Sequence, residues 1–179
     1  MSPRAVLVGL PGAGKSTIGR RLSHALNVPV VDTDDLIEAA EGMTCGEIFA
    51  RRGEPYFRDR EESAVRDALA TDGIVSLGGG SVLSTATRAA LADHLVVHLH
   101  ITPEEGIRRT VAAGGRPLLE APDPEARYRE LADERQHLYE EVATVTVHGD
   151  GKEPQRVVTD ILRFIDEITC DAASGEAAR

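Results

Sequence analysis

Ala5-Val6-Leu7-Val8-Gly9-Leu10-Pro11-Gly12-Ala13-Gly14-Lys15-Ser16-Thr17 is the stretch whose reading decides the fold. Four apolar residues stop at a glycine, and Ile18, Leu22 and Leu26 then recur at helical spacing. Between this predicted strand and this predicted helix, Gly9 to Ser16 satisfies G-x-x-x-x-G-K-[ST] in the context that the pattern requires. With 17 glycines in 179 residues, and Lys15 and Lys152 as the chain's two lysines, the bare pattern arises by chance in roughly 0.002 of such chains, so coincidence is no competitor. The glycines let consecutive backbone N–H groups turn toward one centre, and the helix N-terminus behind them adds partial positive charge. A polyphosphate is the natural guest. Lys15 reaches the β/γ-phosphate oxygens, the Ser16 hydroxyl takes one position on Mg²⁺, and Thr17 meets the α-phosphate. Gly12, Ala13 and Gly14 supply the cradle.

Composition narrows what such a loop can serve. A chain of 179 residues fits one compact α/β domain. Its net charge of −10, with three Tyr, three Phe and no Trp, lacks both the basic footprint and the stacking surface of a nucleic-acid binder. No apolar run approaches the roughly 20 residues that span a bilayer, and the glycine-rich loop begins too early for a signal peptide to precede it. Cys45 and Cys170 form neither a disulfide framework nor a metal pattern, as expected of a cytoplasmic protein.

Outward from the loop, strands and helices alternate. Val28 to Val31 reads as a strand that delivers Asp32-Thr33-Asp34 at its C-terminal end, where α/β ligands bind. Residues 33–62 read as an inserted substrate-binding segment, with a Thr44/Glu47 capping box, a helix end at Gly53 and a new helix near Pro55 that carries Phe57 and Arg58. Ile74 to Leu77 is a buried strand running into Gly78-Gly79-Gly80, and a helix follows over 84–92. The strand Leu95 to Ile101 puts His98 and His100 on one side, where they read as structural because no metal-ligand spacing surrounds them. Thr102, Pro103 and Glu105 predict a second capping box. Residues 112–124 form the densest Gly/Pro segment and read as a lid. A long polar helix from Pro124, a strand at 145–147 and a helix from Pro154 to about Ile168 complete a domain over 1–170, leaving 171–179 as an expected disordered tail. Five strands alternating with helices predict a mainly parallel sheet covered on both faces.

The strand that ends in Ser76-Leu77 carries no carboxylate at the usual metal-holding place, so Asp32 is the best remaining group, acting through water. A second pocket beside the γ-phosphate is suggested by Asp34, which can hydrogen-bond an acceptor hydroxyl. Arg58 and Arg135 are candidate forks for a carboxylate.

G-L-P-G-A-G-K-S-T, D-T-D at 32–34, F-R at 57–58, L-G-G-G at 77–80, R-P-L-L at 116–119 and E-R-x-x-L-Y at 134–139 together closely resemble shikimate kinase of the bacterial monofunctional type. The resemblance spans about Ala5 to Ile168. It implies a monomeric enzyme that uses ATP and Mg²⁺ to phosphorylate shikimate in aromatic amino-acid biosynthesis. In that likeness Asp34 meets the attacked hydroxyl, Arg58 and Arg135 hold the carboxylate, and Gly78, Gly79 and Gly80 present backbone N–H groups. Arg116 is the lid arginine over the ATP phosphates, and Lys15, Asp34 and Arg116 form the catalytic set. Arg109 stacks on adenine with Pro154 opposite, Lys152 stands where relatives often carry arginine, and Phe49, Phe57 and Glu61 line or orient the acceptor pocket. By analogy with nucleoside monophosphate kinases the sheet order is 2-3-1-4-5. Two other readings share the phosphate loop: a gluconate kinase or other small-metabolite kinase, and a nucleotide-dependent regulator without phosphotransfer.

Overall fold

The computed structural model describes residues 2–113 and 122–176, with side chains over 2–110 and 122–168. Strands β1 (Ala5–Val8), β2 (Val30–Asp32), β3 (Ile74–Ser76), β4 (Val96–His100) and β5 (Val145–His148) form one parallel sheet in the order β2-β3-β1-β4-β5, as expected. Helix α1 spans Lys15–Leu26, α2 Thr33–Glu41, α3 Cys45–Arg52 and α4 Glu54–Leu69. Next come a short 3₁₀ turn at Ser81–Leu83, α5 (Thr85–Leu91), α6 (Pro103–Ala113), α7 (Pro124–Val142) and α8 (Pro154–Glu176).

β1 is central and its four residues are at most 1% exposed, which is why it reads as a continuous apolar run and not an alternating one. One face of the sheet buries Leu7, Ile74, Val97 and Leu99 against Ile18 and Leu22 of α1 and Val158 and Ile161 of α8. The other buries Val6, Val8, Val75 and Val96 against Val65 of α4, Leu91 of α5 and Tyr128 and Tyr139 of α7. Each such aliphatic side chain contributes about 1.5–3 kcal/mol on leaving water. A third cluster, Ile37, Ile48, Phe57 and Ala64, holds α2, α3 and α4 together.

Local chemistry moves two boundaries and alters one cap. β2 starts at Val30 and not Val28, because Asn27 adopts a left-handed cap (φ 52°) and the Val28 N–H closes on Ser23 O. The Thr44/Glu47 capping box forms in full, whereas the one expected at Thr102 is half-formed. There the Thr102 N–H donates to Asp150 at 2.9 Å, and the Glu105 carboxylate turns instead to Arg108 and Arg109. Helix α8 runs past its expected end near Ile168 to Glu176, since Asp171-Ala172-Ala173 carries no proline to stop it.

Candidate active site

The loop Gly9–Gly14 leaves β1 and enters α1, and Gly12 and Gly14 take left-handed φ values of 82° and 92°. No side chain caps α1, so its first-turn donors are left to a ligand. Lys15 Nζ donates to the carbonyls of Gly9 (2.8 Å) and Leu10 (3.3 Å), which holds the ammonium over the loop. A pocket of about 460 Å³ opens here, lined by Gly12, Ala13, Gly14, Lys15, Ser16 and Thr17 together with Arg109, Lys152 and Pro154. All the residues expected on the nucleotide side are therefore brought together, apart from Arg116, which lies outside the described residues along with most of the expected lid. Arg109 is braced by Glu105 (2.6 Å) and by the carbonyls of Gly12 and Gly149. Hydrogen bonds from Arg108 and Arg109 lower the Glu105 carboxyl to about 2, so this brace stays ionised. Lys152 pairs with Asp160 at 2.9 Å on the pocket's edge.

Ser16 Oγ donates to Asp32 Oδ2 at 2.9 Å, while Asp32 Oδ1 caps α2 by accepting from the Asp34 N–H at 3.0 Å. One carboxylate thus binds the phosphate loop and aims Asp34. Between the two aspartates, the fully buried Thr33 accepts from the Gly78 N–H at 2.9 Å and ties this corner to the glycine wall. That wall is where four charged side chains converge. A Cβ on Gly78 would lie 2.6 Å from Asp34 Oδ1 and 2.9 Å from Glu61 Oε1, one on Gly79 3.7 Å from Arg135 Nη1, and one on Gly80 would collide with the Arg58 guanidinium. Side chains here would fill the space that the charged groups face.

Arg58 donates to Glu61 (2.6 Å) and to Glu54 (3.1 Å), and Glu61 is itself buried. Burial works against the Arg58 charge, yet the two glutamates outweigh it and raise its affinity for the proton. Arg135 is 4% exposed, its Nε is buried without a hydrogen bond, and Glu134 stands 3.7 Å away. A buried, incompletely partnered guanidinium facing a glycine wall is suited to a planar anion. Phe57 is buried under the cluster, while Phe49 is 40% exposed at its side, the two rings 5.8 Å apart. The Cys45 thiol, hydrogen-bonded to Asp34 O at 3.8 Å, is pushed well up by burial and by Asp34 and Glu38, which leaves it inert as a nucleophile. His98 is buried against Tyr139, their rings stacked at 5.3 Å.

Sequence reasoning assigned no role to Thr33, Tyr128 or Tyr139, though the first and last lie inside quoted motifs. Their hydroxyls bond backbone carbonyls or N–H groups distant in sequence, which no local spacing reveals.

The family model "Shikimate kinase" matches residues 11–166. A shikimate kinase of Corynebacterium jeikeium is 56% identical over 94% of this chain and 91% of that protein. One of Rhodococcus erythropolis is 55% identical over 93% and 99%. Among solved structures, the shikimate kinase from Acinetobacter baumannii in complex with shikimate superposes with a TM-score of 0.87 at 33% identity, covering 93% of this chain and 94% of that one. With its phosphate loop and its arginine-flanked glycine wall side by side, the chain belongs to the shikimate kinase family, which transfers phosphate from ATP to shikimate on the route to aromatic amino acids.

Proposed function

We propose that the acceptor side of this site binds shikimate through Arg58 and Arg135 on its carboxylate, with Asp34 at the hydroxyl that receives the γ-phosphoryl group, giving shikimate 3-phosphate and ADP. The observation that carries this reading is the convergence of Asp34, Glu61, Arg58 and Arg135 on Gly78–Gly80, a wall whose Gly79 lies against Pro11 of the phosphate loop. Two cations and one hydroxyl-directed carboxylate match a hydroxy acid, and an uncharged sugar would bring no anion to the buried Arg135 guanidinium. The shikimate reported in the Acinetobacter baumannii complex supports the same assignment.

Phosphoryl transfer proceeds through a loose transition state, so positioning and charge neutralisation carry most of the catalysis. Lys15 and the backbone N–H groups of Gly12 and of Gly14 to Thr17 hold the phosphates, the Ala13 N–H being bonded to Leu10 O within the loop; Arg109 and Pro154 enclose the adenine, and Lys152 lies at the rim. Asp34 accepts a hydrogen bond from the attacking hydroxyl and holds its oxygen toward the γ-phosphorus. Arg116 is assigned to the ATP phosphates on the motif alone. Ser16 Oγ and Asp32 Oδ2, 2.9 Å apart beside the loop, are hard oxygen donors that fit Mg²⁺, with Ser16 as direct ligand and Asp32 acting through water. Bound there, the ion would neutralise phosphate charge. Gly79 and Gly80 present backbone N–H groups to the substrate, whereas the Gly78 N–H, expected to do the same, is taken by Thr33; Glu61 orients Arg58, and Phe49 and Phe57 line the pocket's apolar side.

Both faces of the sheet are covered by this chain's own helices, which supports a monomer. Dependence on ATP supports a cytoplasmic location, and no described helix is long and apolar enough to cross a membrane. A coupled ADP-release assay against shikimate, other hydroxy acids, gluconate and nucleoside monophosphates tests the reading. Shikimate-dependent turnover is expected, and turnover with gluconate or a nucleoside monophosphate in its place would overturn it.

A further inference from the structure

Tyr128 and Tyr139 lie eleven residues apart on α7, about three helical turns, and so project from one face of the same helix. Both are essentially buried, at 1% and 0% exposure. Each phenol donates to a backbone carbonyl far away in sequence: Tyr128 to Pro11 O in the phosphate loop, and Tyr139 to Gly79 O in the glycine wall, both at 2.6 Å. Arg135, on the same helix face between them, reaches the same wall.

We infer that Tyr128 and Tyr139 are positioning residues, through which one rigid helix sets the peptide planes of both substrate loops and keeps the two loops in register. The inference rests on the assignment of the Gly12 loop to ATP and of the glycine wall to shikimate. In a trans peptide the C=O and the following N–H point in opposite directions, and the described chain has no cis peptide bond. Fixing the Pro11 carbonyl on Tyr128 therefore turns the N–H of Gly12, a residue that lines the nucleotide pocket, away from Tyr128. Fixing the Gly79 carbonyl on Tyr139 likewise sets the N–H of Gly80, the residue that faces the Arg58 guanidinium.

The packing around both phenols supports this role. Tyr128 reaches Pro11 only because Gly106 of α6 has no side chain, since a Cβ there would overlap the phenol oxygen. Tyr139 is stacked on His98 at 5.3 Å, which holds its ring. Burial pushes its hydroxyl well up from the ordinary phenol range, against the opposing pull of Arg135, and so favours the protonated, donating form. The two loops lie close together, so that a Cβ added to Gly79 would come within 3.4 Å of Pro11 Cδ.

Tyr128→Phe and Tyr139→Phe each remove one oxygen and keep the ring. Losing a buried hydrogen bond that holds a ligand-facing peptide is expected to change affinity roughly five- to tenfold. With the full chain and Mg²⁺, Y128F should raise Kd and KM for ATP by that factor and leave the shikimate KM within about twofold, and Y139F should do the reverse. Gly106→Ala, which crowds the Tyr128 hydroxyl from the other side, should reproduce the ATP-selective change. Wild-type shikimate-dependent ADP release is measured first in the same assay, and its absence overturns the functional reading together with this inference. An active wild type whose tyrosine variants change neither KM, or change both together along with the melting temperature, overturns the positioning role alone.

Discussion

Charge at the scale of single residues separates the two halves of the site. Lys15 is held over the phosphate loop by two backbone carbonyls, and its replacement by Ala removes a charge-assisted contact to the β/γ-phosphates. A loss of at least about 3 kcal/mol of transition-state stabilisation, more than a hundredfold in kcat/KM, is expected. Asp34 faces the glycine wall, so Asp34→Asn should leave ATP binding, measured by titration calorimetry, nearly intact while turnover nearly vanishes. An equal loss of ATP affinity would move Asp34 into the phosphate or metal shell. Arg135 is buried, with its Nε out of hydrogen-bond range of any group but within 3.7 Å of the Glu134 carboxylate, and its Nη1 is directed at the glycine wall. Arg135→Lys keeps the charge and loses the planar fork, which should raise the shikimate KM roughly ten- to a hundredfold with little change for ATP. Steady-state kinetics with each substrate varied in turn will decide.

Among the elements, α4 shows how helical spacing builds a binding group. Glu54, Arg58 and Glu61 fall four and three residues apart on one face, so both carboxylates clamp a single guanidinium and point it at the wall. Gly80→Ala should be selective for this reason. The added methyl meets the Arg58 guanidinium and must displace it, whereas nothing of the nucleotide pocket lies beside it. A rise in shikimate KM with unchanged ATP KM is expected from initial rates, and an ATP-side defect would place the wall elsewhere in the mechanism. The half-formed box at Thr102 carries a similar lesson. Its glutamate is recruited to Arg109, so an N-terminal helix signal has become a support for the nucleotide pocket.

For the whole molecule, the sheet ties stability to pH through His98. Burial and the neighbouring His100 lower its pKa to about 4, with His148 and Lys15 acting in the same direction and Glu140 opposing them. An unfolded chain takes up this proton near 6.5, whereas the folded chain refuses it until about 4. Stability should therefore fall as pH drops from about 6.5 to about 4, by at most about 3 kcal/mol from this residue. Thermal melts of wild type and His98→Phe across this range test the point: the variant should show the shallower slope, and parallel curves would assign the acid sensitivity to other groups.

By itself the sequence determined the fold class, the strand that leads into the phosphate loop, and the charged residues that the fold gathers beside that loop. Those features are written in local pattern: apolar runs, glycine spacing, and arginines and aspartates at strand ends or along helices. Only the tertiary structure decided how these groups are held. Asp32 bonds Ser16 across 16 residues, Thr33 reaches Gly78 across 45, Tyr139 reaches Gly79 across 60 and Tyr128 reaches Pro11 across 117. The same holds where local signals gave way: Val28 closes the end of α1 in place of starting a strand, and Asp150 takes the N–H that a capping box would have used. A buried polar group must find a partner wherever the packed chain supplies one. That partner is set by which elements the sheet order makes neighbours, and a linear pattern of residues does not carry it.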